Sequence, residues 1–329
     1  MATLKLPHRR QFLHLAAGTV ALPMVTRIAR AQAYPTRPVR IIVPFAAGGG
    51  TDITARVIAQ WLSERMGQQF IVENRPGGGT NIGTEAAAKA TADGYTLLMV
   101  GTSNTANPAL YDKLNFDLIR DFVPVGGVIR APHVVVVNLA LPAKTIPEFI
   151  AYSKANPGKV NMASAGNGTA GHLGGELFKM LTGVNMQHVP YRGGGPALLD
   201  LIAGQVQVYF AGMPEAIEYV RTRKVRALAV GTATRTDALP DVPTVGEFVP
   251  GYESSIWFGV SAPRGTPAEI VDQLNREINT ALADPAIKAR YAELGSTVFP
   301  TAPAEFAEFI AAETEKWGKV VKFANLKPE

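Results

Sequence analysis

Val39-Arg40-Ile41-Ile42-Val43-Pro44-Phe45-Ala46-Ala47-Gly48-Gly49-Gly50-Thr51-Asp52 is an apolar run, then a glycine-rich turn, then the start of a helical pattern. Val39 to Val43 reads as a buried parallel strand. Ile53, Val57, Trp61 and Leu62 recur at helical spacing, and Gly67 suits the residue just past the helix end. A strand that turns through glycines into a helix aims unpaired backbone N–H groups at one spot, with the helix dipole behind them. Such a spot suits an anion. Ser164-Ala165-Gly166-Asn167-Gly168-Thr169-Ala170-Gly171-His172-Leu173 repeats the arrangement far downstream. Two such turns suggest two lobes holding one negatively charged ligand between them.

The pattern around them is strand and helix in alternation, which means parallel sheets with helices on their faces. Phe70 to Val72, Thr96 to Val100, Val160 to Ala163, Gln187 to Val189, Val206 to Phe210 and Val225 to Val230 read as strands. Helices are expected over Asn81 to Ala90, Ile146 to Ala155, and after Thr169, Gly195 and Met213, with Pro196 and Pro214 as first helical residues. Thr145 with Glu148, and Thr266 with Glu269, read as capping boxes, and a last helix runs from Ala304 to Phe323. Phe122 to Asn138 and Tyr252 to Pro263 are long extended stretches, fit to cross between lobes as a hinge. The expected division is 34–133 with 253–329 as lobe one and 134–252 as lobe two.

Residues 1–33 read as an export signal: Arg9-Arg10 before Phe12-Leu13, a mildly apolar stretch, then Ala31-Gln32-Ala33 as a cleavage site. The paired arginines resemble a twin-arginine signal, with the ordinary secretory route open because His8 precedes them. The chain has 32 Lys+Arg and 27 Asp+Glu, and Lys5, Arg9, Arg10, Arg27 and Arg30 lie in that segment without an acid. The remainder is balanced, which leaves nothing to attract nucleic acid or an anionic membrane surface. Cysteine is absent, which excludes disulfides and thiolate chemistry. The expected product is a soluble periplasmic monomer without cofactor or metal.

The first turn lacks the Gly-Lys-Ser/Thr of a phosphate loop and the Gly-x-Gly-x-x-Gly of a dinucleotide fold, so a carboxylate is the best anion. Asp52 reads as a complement to the helix dipole. Ser164, Asn167 and Thr169 offer side-chain donors in the second turn, with Thr169 placed to cap the helix or face the cleft. His172 with Glu176 four residues on reads as a surface pair. Thr102 and Asn104 in a turn after a strand, Tyr191 and Arg192 before another helix, and Ala211 near a strand end are further candidates for the cleft. No Gly-x-Ser-x-Gly elbow surrounds Ser164 and no histidines have metal-ligand spacing, so a hydrolase is the weakest reading.

Val43-Pro44-Phe45 running into Gly48-Gly49-Gly50-Thr51-Asp52 resembles the opening motif of the Bug receptors, the extracytoplasmic solute receptors of tripartite tricarboxylate transporters. Glu73-Asn74-Arg75-Pro76-Gly77, Asn107-Pro108-Ala109-Leu110-Tyr111, the Ser164 to Thr169 turn, His188 to Gly194, Leu239 to Thr244 and Ala262 to Pro267 continue the series in family order. The resemblance implies a two-lobed type II periplasmic-binding-protein fold, each lobe a mostly parallel sheet flanked by helices, joined by two crossover strands. It implies a receptor that closes on a small organic carboxylate and hands it to a membrane permease, or presents its closed form to a sensor kinase. Carried over, the gripping residues are Phe45, Gly48, Gly49, Thr51 and Asp52, then Ser164, Gly166, Gly168 and Thr169. Some relatives carry a carboxylate near position 211 that could meet an amino group; Ala211 leans away from amino acids.

Overall fold

The computed structural model describes residue 2, residues 34–323 and residues 325–327, so the expected export signal lies outside the described residues apart from Ala2. In chain order the elements are β1 (Val39–Val43), α1 (Gly50–Met66), β2 (Phe70–Asn74), α2 (Asn81–Ala88), β3 (Thr96–Gly101), α3 (Thr102–Leu110), β4 (Phe122–Val137), α4 (Ile146–Ala155) and β5 (Asn161–Ser164). They continue as α5 (Ala170–Thr182), β6 (Gln187–Pro190), α6 (Gly194–Ala203), β7 (Val208–Gly212), α7 (Met213–Arg221), β8 (Arg226–Val230) and β9 (Ser255–Pro263). The chain ends in α8 (Ala268–Ala283), α9 (Pro285–Glu293), β10 (Thr297–Val298) and α10 (Pro303–Phe323).

The fold is two-lobed α/β. In the first lobe β1 pairs in parallel with both β2 and β3, and in the second β5 pairs in parallel with both β6 and β7. The long strand β4 joins them: Phe122–Pro132 runs antiparallel to β9, and His133–Val137 runs antiparallel to β7. Its apolar run Val134 to Val137 is buried on both faces, which the packing of a shared strand requires. The chain crosses back beside His133, where Ser254 bonds Gly231 and His133 through the backbone. Hydrogen bonding is thus continuous in the order β2-β1-β3-β9-β4-β7-β5-β6.

Each lobe has its own core. Ile42, Leu98, Val100, Phe122, Trp257 and Phe306 pack in the first, and Val135, Phe149, Phe178, Phe210 and Tyr252 in the second. Every helix that opens on the cleft follows a strand directly, so its N-terminus lies at the carboxyl end of a sheet.

Several local expectations need correction. Residues 102–110 form a helix rather than a turn, buried along Thr102 to Asn107. α6 begins two residues before Pro196, and α7 one residue before Pro214. The Thr266 hydroxyl donates to Pro263 O instead of capping α8, whose N-cap is Pro267. At α4 the box is half formed: Thr145 accepts from Glu148 N, while Glu148 Oε2 accepts from Lys144 N.

Candidate functional site

The N-termini of α1, α3, α5, α6 and α7 converge on one cavity of about 50 Å³ between the lobes. Gly50 and Thr51 bring α1 to it, Thr102 and Ser103 bring α3, Ala170 and Gly171 bring α5, Gly194 brings α6, and Glu215 brings α7. First-turn amides have no acceptor inside their own helix, and each N-terminus carries about half a positive charge. Phe45, Phe210, Ile256 and Phe258 form apolar walls. Among the described residues no lysine or arginine lines the cavity. Its attraction for an anion therefore comes from backbone dipoles, which are fixed by the fold and cost no side-chain ordering.

Besides more distant links such as Arg221 Nη1 to Glu293 O at 2.9 Å, two bonds join the lobes next to it. Ala46 N donates to Arg192 O at 2.8 Å, and Gly50 N donates to Glu215 Oε2 at 2.7 Å. Glu215 is buried; its Oε1 also accepts from Tyr209 OH at 2.5 Å and from Gly212 N at 3.2 Å. Burial pushes its carboxyl up, and those three donors offset only part of that, so it stands above the usual glutamate range. Beside it, His133 lines the cavity, bonds Ser254 Oγ at 2.6 Å, and is held neutral by burial, down to about 3. The Thr102 hydroxyl is buried on the lining with no hydrogen-bond partner. A buried unpaired hydroxyl is costly, so it marks a place where a ligand group is wanted.

Of the residues singled out from sequence, Phe45, Gly49, Thr51, Thr102 and Thr169 line this cavity. Gly166, Asn167, Tyr191 and Arg192 line a second, more open cavity of about 500 Å³, which shares Phe45 and Ala165 with the first. Tyr191 OH donates to Asp200 Oδ2 at 2.7 Å; burial first, then this bond and the Asp200 charge, push the phenol up to about 12.

The others lie on neither lining and hold the turns. Asp52 Oδ2 accepts from Gly48 N at 2.9 Å and from Arg56 Nε at 3.0 Å, while Oδ1 accepts from Asn74 Nδ2 at 3.0 Å. Burial raises the Asp52 carboxyl, but Arg56, Gly48 and Asn74 outweigh it and leave it below the ordinary 3.8. Asn104 accepts from Gly101 N and donates to Thr84 Oγ1, fixing the start of α3. Ser164 Oγ bonds the Gly166 backbone and His188 Nε2, the latter at 2.6 Å. Thr169 donates its hydroxyl to Gly166 O at 2.7 Å and accepts from His172 N at 3.4 Å, so its proton is committed inside the turn although it lines the cavity. Gly168 N donates to His172 Nδ1 at 3.2 Å. His172 does approach Glu176, Nε2 to Oε1 at 3.7 Å, but it is buried rather than on the surface, and it stacks on His188 at 3.8 Å and 9°. Burial holds both rings neutral, near 4 and 3 respectively.

Ala211 is buried in β7 opposite Val134. Its lack of a carboxylate does not leave the cleft without one, because Glu215 supplies it four residues later. Sequence reasoning missed Glu215. The signal was the spacing of Gly212 before Pro214 and Glu215, the pattern of an N-cap followed by a third-position acid that reaches back to its amide.

Residues 54–326 match the family described as the tripartite tricarboxylate transporter family receptor. The chain is 39% identical over 318 residues to protein BugT of Bordetella pertussis, covering 96% of each. The solved structure of R. palustris Rpa4515 with adipate is 38% identical with a TM-score of 0.87, over 90% of this chain and all 100% of that one. MatC from Rhodopseudomonas palustris with bound malate is 34% identical with a TM-score of 0.83, over 88% of this chain and 100% of that one. This chain belongs to the receptor family of the tripartite tricarboxylate transporters.

Proposed function

We propose that this protein is a periplasmic receptor that captures a small organic carboxylate between its lobes and delivers it to a tripartite tricarboxylate-type permease. The observation that carries the reading is the convergence of five helix N-termini on one cavity that, among the described residues, has no cationic side chain on its lining. A carboxylate there gains several amide donors at once, and the Thr102 hydroxyl gains the partner it otherwise lacks. Rpa4515 with adipate and MatC with malate, each superposing over most of the chain, support the same ligand class. We take 34–133 with 253–329 as one lobe and 134–252 as the other, with closure bringing the Ala46 to Gly50 turn against the starts of α6 and α7. Phe45, Gly49, Thr51, Thr102 and Thr169 are then the contact surface, and Gly48, Asp52, Asn104, Ser164 and Gly168 hold it in shape.

The protein acts by binding rather than by turnover. Ser164 and His188 are in contact, but Ser164 is fully buried and lines neither cavity, so the pair has no access to a substrate. A thermal-shift screen of carboxylates tests the reading. A ligand at 100 times its dissociation constant adds about 2.7 kcal/mol of stability. A hit recovered chemically unchanged supports it; no shift with any mono-, di- or tricarboxylate refutes it.

A further inference from the structure

Among the described residues Glu215 is the one acidic side chain that lines the cavity, and it is built into the site. An added Cβ at Gly194 would fall on its carboxylate, and one at Gly49 would lie 3.3 Å from Oε2. The starts of α6 and α1 are thus shaped around this group. Its two oxygens offer about four acceptor positions, and Gly50 N, Gly212 N and Tyr209 OH occupy three. One remains on Oε2. The other titratable side chains on the lining, His133 and Tyr209, supply no positive charge: one is buried as a neutral ring and the other is a phenol donating to Glu215 itself. Among the described residues no lysine or arginine faces it from the lining either. A ligand carboxylate is served by the amides at the starts of α3 and α5 and by Thr102. The remainder of the ligand then shares the cavity with a resident acceptor. Gly50 N, Gly212 N and Tyr209 OH all donate to Glu215, which holds it as an acceptor, so a second ligand carboxylate would meet a like charge, which is disfavoured in a confined space.

We propose that Glu215 sets the specificity of this receptor, so that it takes a carboxylate whose second polar group is an N–H donor, an ammonium or a carboxamide, and rejects the matching dicarboxylate. The proposal rests on the carboxylate-receptor reading above and narrows it. A site with a buried acceptor gains from a ligand N–H and is left unpaired, or repelled, by a ligand oxygen anion.

Calorimetric titration with isosteric pairs tests it: succinate against succinamate, glutarate against glutaramate, adipate against adipamate, with 4-aminobutanoate and 6-aminohexanoate as ammonium probes. The native protein is expected to bind the best N–H probe at least tenfold more tightly than its dicarboxylate partner. Glu215→Gln, whose amide can donate, is expected to erase or reverse that ranking. Its ligand-free melting curve checks the fold. If that variant melts early, Tyr209→Phe gives a second reading: it keeps the charge and frees an acceptor on Oε1, so the preference for N–H ligands holds or grows. Tight dicarboxylate binding by the native protein, with the ranking unmoved in Glu215→Gln, would overturn the role of Glu215 and leave the receptor reading standing. Binding of no carboxylate at all would remove both.

Discussion

Gly195→Ala separates closure from folding. Gly195 is the second residue of α6, a helical position where alanine costs nothing and gains up to about 1 kcal/mol over glycine. Across the cleft, however, the new Cβ would sit 2.5 Å from Ala47 O and 3.3 Å from Gly48 C. That is roughly 1 Å inside van der Waals contact, and the atom struck is backbone, which has no rotamer to escape by. The lobes must therefore stand apart by about that distance. The Ala46 N to Arg192 O bond, now 2.8 Å, and the Gly50 N to Glu215 bond, now 2.7 Å, would both stretch past the limit of a hydrogen bond. Losing one neutral and one charge-assisted bond costs about 2–4 kcal/mol. The loss falls on the closed form alone, so it appears as weaker binding, roughly 30- to 700-fold at about 1.4 kcal/mol per decade. The assay is calorimetric titration of native and variant protein with the best acid from the screen, beside ligand-free melting curves. Affinity within threefold of native, in a variant that melts normally, would refute the closure geometry.

Thr102→Val keeps the shape and removes a buried hydroxyl without a partner, so ligand-free stability should hold or rise by up to about 1 kcal/mol while affinity falls about five- to tenfold; unchanged affinity in the same titration would clear Thr102 of contact. Asp52→Asn replaces the acceptor of Gly48 N and Arg56 and should lower stability by about 1–2 kcal/mol in thermal melts, with no loss if the turn stands without it. Because Asp52 sits below its unfolded value, its contribution is present above about pH 4 and is lost as the pH falls through its folded value. His133, His172 and His188 are depressed from 6.5 to about 3, 4 and 3, so they stabilise the fold above 6.5 and that is lost progressively as the pH falls towards those values. Between pH 7 and pH 5 this amounts to about 2 kcal/mol each for His133 and His172 and less for the more exposed His188, read by urea denaturation at the two pH values; equal stability at both would refute it.

Much of the scaffold could be read locally. β1 is apolar at nearly every position because helices cover both faces, and α1 runs to Gly67, whose left-handed conformation ends it, although its buried face passes through Ala55, Ile58, Ala59 and Leu62 while Ile53, Val57 and Trp61 are only half-buried. α3 could not be read this way. Thr102 to Asn107 is polar and Pro108 interrupts it, so neither propensity nor periodicity argues for a helix. It forms because Ala106 and Leu110 pack with Leu173 and Val321 from distant parts of the chain, while Asn104 and Asn107 satisfy backbone groups around it. His172 was misread for a similar reason: a helical pair four residues apart says nothing of what lies over the helix start, and here His188 from β6 covers it. The glycine turns were visible, yet which donors face the cavity was not. Hydroxyls that look free in sequence, on Ser164 and Thr169, are spent holding the second turn.

The placement of Glu215 changes what closure requires of a ligand. Gly50 N–H, the amide at the start of α1, is satisfied by the protein's own carboxylate when the lobes meet. Ala46 N–H is likewise satisfied across the cleft by Arg192 O. These contacts form whatever the ligand is, so they set the resting balance between open and closed without distinguishing one acid from another. Capture of the carboxylate itself must come from groups that the protein does not satisfy by itself, the Thr102 hydroxyl and the first-turn amides of α3 in one lobe and of α5 in the other, while the acceptor left on Glu215 Oε2 acts on the rest of the ligand. A ligand carboxylate that bridges α3 and α5 stabilises only the closed arrangement, which is the condition for a ligand to drive closure at all. The two functions are thereby divided within one small cavity: Glu215 and the glycine turns let the lobes fit together, and the unpaired donors opposite them make that fit depend on an acid.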